Sequence, residues 1–379
     1  MATGTDRGER PWKASSMSRG LASPRIDDRS SGVALPGRLV RAAAGALLAF
    51  LLANVVVAVA VSYSPGRRVD PVLGNVHRPG LFVDSSEGYC ATRLNSMGLR
   101  APEPSDARRF PERLLFLGDS ITEAYQVLDE ETFVLRVEEG LSGQGRQAVC
   151  VNAGVSGAGP ADYIYLAATM RTAYAPTQVV VQLGDADFGP SLTSTQSVRW
   201  LEPQGSGWTV RRAEAQSVTG WLREVGPRLP AAYYIYQRMV KDAALRAPDA
   251  SQTQSAGAGR APDPRIVEWV VTRLREEYGS NVLVLYIPQI DWFGDTMTPT
   301  ATETLAQRIC GRLGVGFVDV RGALSERYAR TRQPLNGFAN TVPGAGHWNA
   351  EGHEVIAAEL VRSLILTPGS LSGSPLGGD

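Results

Sequence analysis

Two side chains in this sequence have the chemistry and the setting for acyl transfer. Ser120 lies in LLFLGDSITEAY (114–125), where a short apolar run meets a helix-like stretch. A serine at the end of a strand and the start of a helix has an exposed hydroxyl polarised by the helix N-terminus, which suits a nucleophile. The same position suits a helix cap, and Ser120 with Glu123 has the spacing of a capping box. The partner would be a histidine, and the chain has three: His77, His347 and His353. His347 stands in the loop TVPGAGHWNAEGH, ahead of the last helix, with Asn349 placed to cap that helix. His353 falls inside the helix, where a structural hydrogen bond is expected, and His77, in GNVHRPG, reads as a surface residue. If Ser120 and His347 meet, the imidazole takes the hydroxyl proton, the oxygen attacks an ester carbonyl, and backbone N–H groups hold the developing oxyanion.

The elements that must bring them together alternate regularly. Five short runs, nearly continuous in apolar residues, occupy 113–119, 147–154, 177–184, 281–288 and 315–322. That pattern is expected of strands covered on both faces. Helix-like segments separate them, ending in NAEGHEVIAAELVRSLIL. Alternation of this kind predicts an α/β domain with a parallel sheet, helices on both faces and sites at the carboxyl ends of the strands, where Ser120, Gly154 and Asp187 fall.

Ahead of this region, residues 1–41 carry eight Lys/Arg and four Asp/Glu without an apolar run, and read as a disordered tail. Ala42–Tyr63 contains no charge and is long enough to cross a bilayer. Arg38 and Arg41 before it bias the N-terminus to the cytoplasm and the remainder to the outside; Arg67 and Arg68 beyond it weaken that bias. Ala58 and Ala60 also form an Ala-x-Ala cleavage pattern, so secretion after signal cleavage is the alternative. Residues 64–91 read as an extended linker. Net charge is zero and no basic cluster is interleaved with aromatics, which sets nucleic-acid binding aside. Cys90, Cys150 and Cys310 have no metal-site spacing, and no metal or cofactor is expected; one disulfide or three buried thiols both fit.

The blocks LLFLGDSITEAYQV, VNAGVSGAG, GDAD and GHWNAEGH, in this order, resemble those of the SGNH/GDSL hydrolase family over roughly residues 92–365, and the upstream RLNSMGLR resembles its membrane-linked and secreted branches. The resemblance implies a three-layer α/β/α flavodoxin-like fold with a five-stranded, mostly parallel sheet. It implies Ser120 as nucleophile, His347 as general base, and the N–H groups of Ser120 and Gly154 as oxyanion donors. Asp119, Asp185 and Asp187 would support the site. Two positions depart from the family pattern. Ala186 replaces the asparagine of the third block, whose amide donates to the oxyanion, and Gly344 and Ala345 stand where the triad acid is expected.

His347 is therefore expected to rely on a backbone carbonyl or on Asp185 or Asp187, in effect as a Ser-His dyad. The expected organisation is a tail (1–41), a membrane helix (42–63), a linker (64–91), a hydrolase-like domain (92–368) and a tail (369–379). An insertion at 189–264 lies over the site, with Trp200, Trp208, Trp221, Tyr233, Tyr234 and Tyr236 available to stack on sugars or to pack on the domain. The implied function is an esterase or O-acyltransferase acting outside the membrane on an ester such as an acylated cell-envelope glycan. The alternative is a degenerate domain that binds a glycan or protein without turnover.

Overall fold

A computed structural model of the chain describes residues 34–60, 62–70, 72–194, 199–212 and 262–366. Most of the N-terminal tail, the C-terminal tail and residues 213–261, including Trp221, Tyr233, Tyr234 and Tyr236, lie outside the described residues.

Helix α1, Ala34–Ala60, has a stretch, Gly37–Val57, that is long and apolar enough to cross a membrane, with mean hydropathy 2.1 and none of it buried. It ends before the expected Tyr63. Ser62 and Tyr63 instead form β1 and pair with Asp84 and Val83, so the backbone there is extended rather than helical. The presumed linker is folded as well: β2 (Arg67–Asp70) pairs with β3 (Gly74–His77), and β4 (Gly80–Asp84) joins β1 to β5 (Cys90–Leu94) in an antiparallel sheet. His77 is not on the surface. It meets the stacked rings of Phe82 and Tyr125 edge-on, and burial pushes its pKa down to about 3.

The main domain alternates as its apolar runs predict. Short α2 (Pro104–Ala107) precedes β6 (Glu112–Gly118); α3 (Ser120–Glu123), α4 (Phe133–Gly143) and β7 (Ala148–Gly154) follow. Then come α5 (Pro160–Tyr165), α6 (Ala167–Tyr174), β8 (Gln178–Leu183) and the hairpin β9 (Arg199–Gln204) and β10 (Gly207–Arg212). The chain continues through α7 (Pro264–Tyr278), β11 (Val282–Tyr286), α8 (Ala301–Leu313), β12 (Gly316–Asp319), α9 (Arg321–Thr331) and α10 (Ala350–Leu366). The central sheet is parallel throughout, in the order β7-β6-β8-β11-β12. This is the flavodoxin-like order, with the reversal between β6 and β8 that opens a crevice at their carboxyl ends.

β6 shows why its sequence is apolar without interruption. Leu115 and Leu117 enter the core with α5, α6 and α7, while Leu114 and Phe116 enter the opposite core with α4 and α10. Alternation across the strand thus feeds two covered faces. All three cysteines are buried and free. Of the insertion, Trp208 packs edge-to-face on Trp269 of α7, the domain-packing role among the two expected.

Candidate active site

Ser120 follows β6 across a turn that demands its neighbours. A Cβ on Gly118 would collide with Thr122 and stand 2.6 Å from Gln182 Oε1, so glycine alone lets the strand pass under α3. The residue that caps α3 is Asp119, whose carboxylate accepts the Ile121 N–H at 2.8 Å. Ser120 is thereby spared the capping role, and its hydroxyl lies 2.9 Å from His347 Nε2. His347 comes from the loop before α10, which Asn349 caps by accepting the N–H groups of Glu351 and Gly352, both at 3.1 Å.

The far side of the imidazole faces Glu87, a residue with no counterpart in the sequence expectation. Glu87 Oε2 lies 2.6 Å from His347 Nδ1, and Oε1 accepts the His347 backbone N–H at 2.8 Å. An ionised carboxylate only accepts, so Nδ1 carries the proton and Nε2 is left to accept from the Ser120 hydroxyl. Gly346, at φ +80°, gives Glu87 its room, because a side chain there would overlap the carboxylate. The turn carrying Glu87 is pinned by Asn340, which accepts the Gly88 N–H at 2.8 Å and donates to Ser85 O at 2.9 Å.

The expected supports serve elsewhere. Asp185 accepts from the Thr300 hydroxyl and from the Gln289 N–H at 3.2 Å. Asp187 is buried and accepts the Gly184 N–H at 2.8 Å, and its burial and the nearby Asp119 charge hold its pKa well above the carboxylate range. Burial raises Asp119 too. Neither Asp185 nor Asp187 makes a hydrogen bond to His347, which corrects the dyad expectation: a carboxylate is supplied, from 260 residues upstream in sequence. His353 plays the structural role expected, accepting the Phe133 N–H at 3.3 Å, and burial pushes its pKa down to about 3.

The oxyanion side needs a second correction. The Gly154 N–H donates to Asn152 Oδ1 at 3.0 Å and is not open to a ligand. Three residues on, Gly157 adopts φ +78°, is exposed, and its N–H meets no acceptor among the described residues; neither does that of Ser120. The loop bearing Gly157 is held to the Ser120 turn by the Val155 N–H donating to Gly118 O at 3.0 Å and by Ser156, which donates its N–H at 3.0 Å and its hydroxyl to the buried Glu123 carboxylate.

Burial lifts Glu123 from 4.5 to about 7 against the pull of the Ser156 bonds. A carboxyl with a raised folded-state pKa holds its proton more tightly folded than unfolded. Its contribution to stability is therefore full below the unfolded value and is lost as pH rises through the folded one. Glu123→Gln is expected to flatten the fall in stability between pH 5 and 7 by on the order of 2 kcal/mol, read from urea midpoints of both proteins across that range.

No group of His, Cys, Asp and Glu among the described residues is arranged to hold a metal ion. The GDSL-like lipase/acylhydrolase family pattern matches residues 116–355, more than half of the chain. The chain belongs to that family and is a hydrolase of ester bonds. No curated protein matches it. Solved structures it resembles include a lipase/acylhydrolase from Enterococcus faecalis, 16% identical over 67% of this chain and 95% of that one, TM-score 0.38. Another is an acetylxylan esterase from Geobacillus stearothermophilus, studied as a catalytic mutant, 16% identical over 71% of this chain and 98% of that one, TM-score 0.36.

Proposed function

We propose that this protein is a serine esterase in which Ser120, His347 and Glu87 act in series, outside the membrane, on an ester such as an acylated cell-envelope glycan. The observation that carries the reading is the unbroken line of short contacts from the Ser120 hydroxyl through the imidazole to the Glu87 carboxylate. His347 Nε2 takes the hydroxyl proton as Ser120 Oγ bonds to the ester carbon. The N–H groups of Ser120 and Gly157 receive the oxyanion, and Glu87 stabilises the imidazolium. Nε2 then returns the proton to the departing alcohol as its bond to carbon breaks. Water, activated by the same nitrogen, frees the acid and restores Ser120; a sugar hydroxyl in place of water would make the reaction an acyl transfer. A location outside the membrane is supported by α1, with Arg38 and Arg41 at the N-terminal end of its apolar stretch.

Release of acid from acetylated saccharides and from simple aryl esters, compared side by side, tests this reading. Turnover of acetylated saccharides with a higher kcat/KM supports the glycan substrate; turnover of aryl esters alone removes the glycan and leaves the esterase.

One observation favours a second reading, a domain that binds without turnover: Ala186, exposed after β8, offers no amide where the family pattern has asparagine. Ala186→Asn decides between them. In a working esterase it supplies a third donor and raises kcat on an aryl acetate, by up to about 100-fold. In a binding domain it leaves a baseline of no turnover unchanged.

A further inference from the structure

Three large apolar side chains stand open to solvent on the two loops beside His347. Phe293 is 79% exposed, Met297 61% and Val342 65%. Phe293 lies across the His347 loop, its Cε2 3.1 Å from where a Cβ on Gly344 would be. Their outward posture is built in. Asp291 accepts the Phe293 N–H at 3.2 Å, and Asp295 accepts those of Met297 and Thr298 at 2.9 and 3.1 Å, so each acid closes a turn and the apolar side chain is left outside. Exposed apolar residues grouped on neighbouring loops mark a contact surface rather than ordinary surface variation.

Chain connectivity identifies what they meet. From Val57, where the apolar stretch of α1 ends, to Ser62 in β1 is five residues, at most about 17 Å fully extended. Ser62 pairs with Asp84, across a strand spacing of about 5 Å, and Glu87 follows three residues later, at most about 10 Å on. Glu87 then grips His347 directly. If α1 sits in a bilayer, this connection keeps Glu87, and with it His347, within a reach of about 32 Å of that bilayer's surface. Among possible partners, that surface is the apolar one always within reach.

We propose that the loops 291–299 and 338–346 dip into the surface of the bilayer that holds α1, so that the mouth between Ser120 and His347 faces membrane-borne esters. This rests on α1 being a membrane helix. Phe293, Met297 and Val342 enter the interfacial layer, and an acylated molecule reaches Ser120 along that layer without first dissolving in water.

Environment-sensitive labels on single introduced cysteines test it in the full chain reconstituted into phosphatidylcholine vesicles; the three native cysteines are buried and stay unlabelled. Labels at Phe293→Cys and Met297→Cys report on the loops and a label at Leu48→Cys reports on α1. One at Gln144→Cys, exposed after α4 at the opposite end of the sheet, is the water reference. The expected result is several-fold stronger quenching by nitroxide lipid at 293 and 297 than at 144, with shielding from iodide. Quenching at 48 while 293 and 297 behave like 144 overturns the proposal and leaves the membrane helix standing. No lipid quenching at 48 removes the membrane helix and the proposal with it. Shielding of 293 and 297 from iodide without lipid quenching means that protein covers the loops, and also overturns it.

Discussion

Ser120→Ala is expected to lower kcat on an aryl ester by about 10⁴-fold or more, with the thermal midpoint close to that of the parent. The size follows from the loss of the covalent path: with no oxygen to attack the ester carbon, only binding and the oxyanion donors remain. The stability follows from the local structure. The cap of α3 is Asp119, and among the described residues the Ser120 hydroxyl meets only the imidazole. Its removal leaves no buried group unpaired, because His347 is 29% exposed and water can replace the serine hydroxyl. Steady-state kinetics with a melting curve check both halves. Retained turnover would move the nucleophile elsewhere.

Glu87→Gln separates this account from any that leaves His347 unsupported. The amide presents either an oxygen or an NH₂ to Nδ1. Even where the oxygen faces it, the negative charge that stabilises the imidazolium is gone; where the NH₂ faces it, the ring is held in the tautomer that cannot accept from Ser120. The expected fall in kcat is about 10³- to 10⁴-fold, with KM little changed, because the charge matters only once the imidazole is protonated. Asp185→Asn and Asp187→Asn are the comparisons. Their carboxylates answer to Thr300, Gln289 and Gly184, so both variants retain far more activity than Glu87→Gln. Equal losses in all three would mean that the His347 environment is shared among carboxylates and not assigned to Glu87.

Residues that act through local sequence were legible, and those that act across the chain were not. The Ser120 turn is written in adjacent residues: an apolar run, a glycine that admits α3, an aspartate that caps it. The strands were legible because each is covered on both faces, as Leu114 to Leu117 show by dividing between two cores. His347 stands out because His353 falls inside a helix and His77 reads as a surface residue, although His77 is in fact buried against Phe82 and Tyr125.

Glu87 left no spacing to read. It works across 260 residues, from a segment whose glycines and prolines suggest a linker. A signal was present in GLFVDSSEGYCATRL, where two short apolar runs joined by Ser-Ser-Glu-Gly fit a hairpin and place one acid in its turn. The oxyanion donor was misplaced for a different reason. Gly154 and Gly157 are both glycines at the carboxyl end of β7, and only the hydrogen bond from Gly154 to Asn152 reveals which N–H is occupied.

A fluorophosphonate probe on the full-length protein reads the line from Ser120 through His347 to Glu87 most directly. The adduct is mapped by mass spectrometry and its rate of formation compared in His347→Gln and Glu87→Gln. The account predicts one adduct, on Ser120, formed far more slowly in both variants. An adduct on another serine, no adduct on folded protein, or an unchanged rate in Glu87→Gln would contradict it.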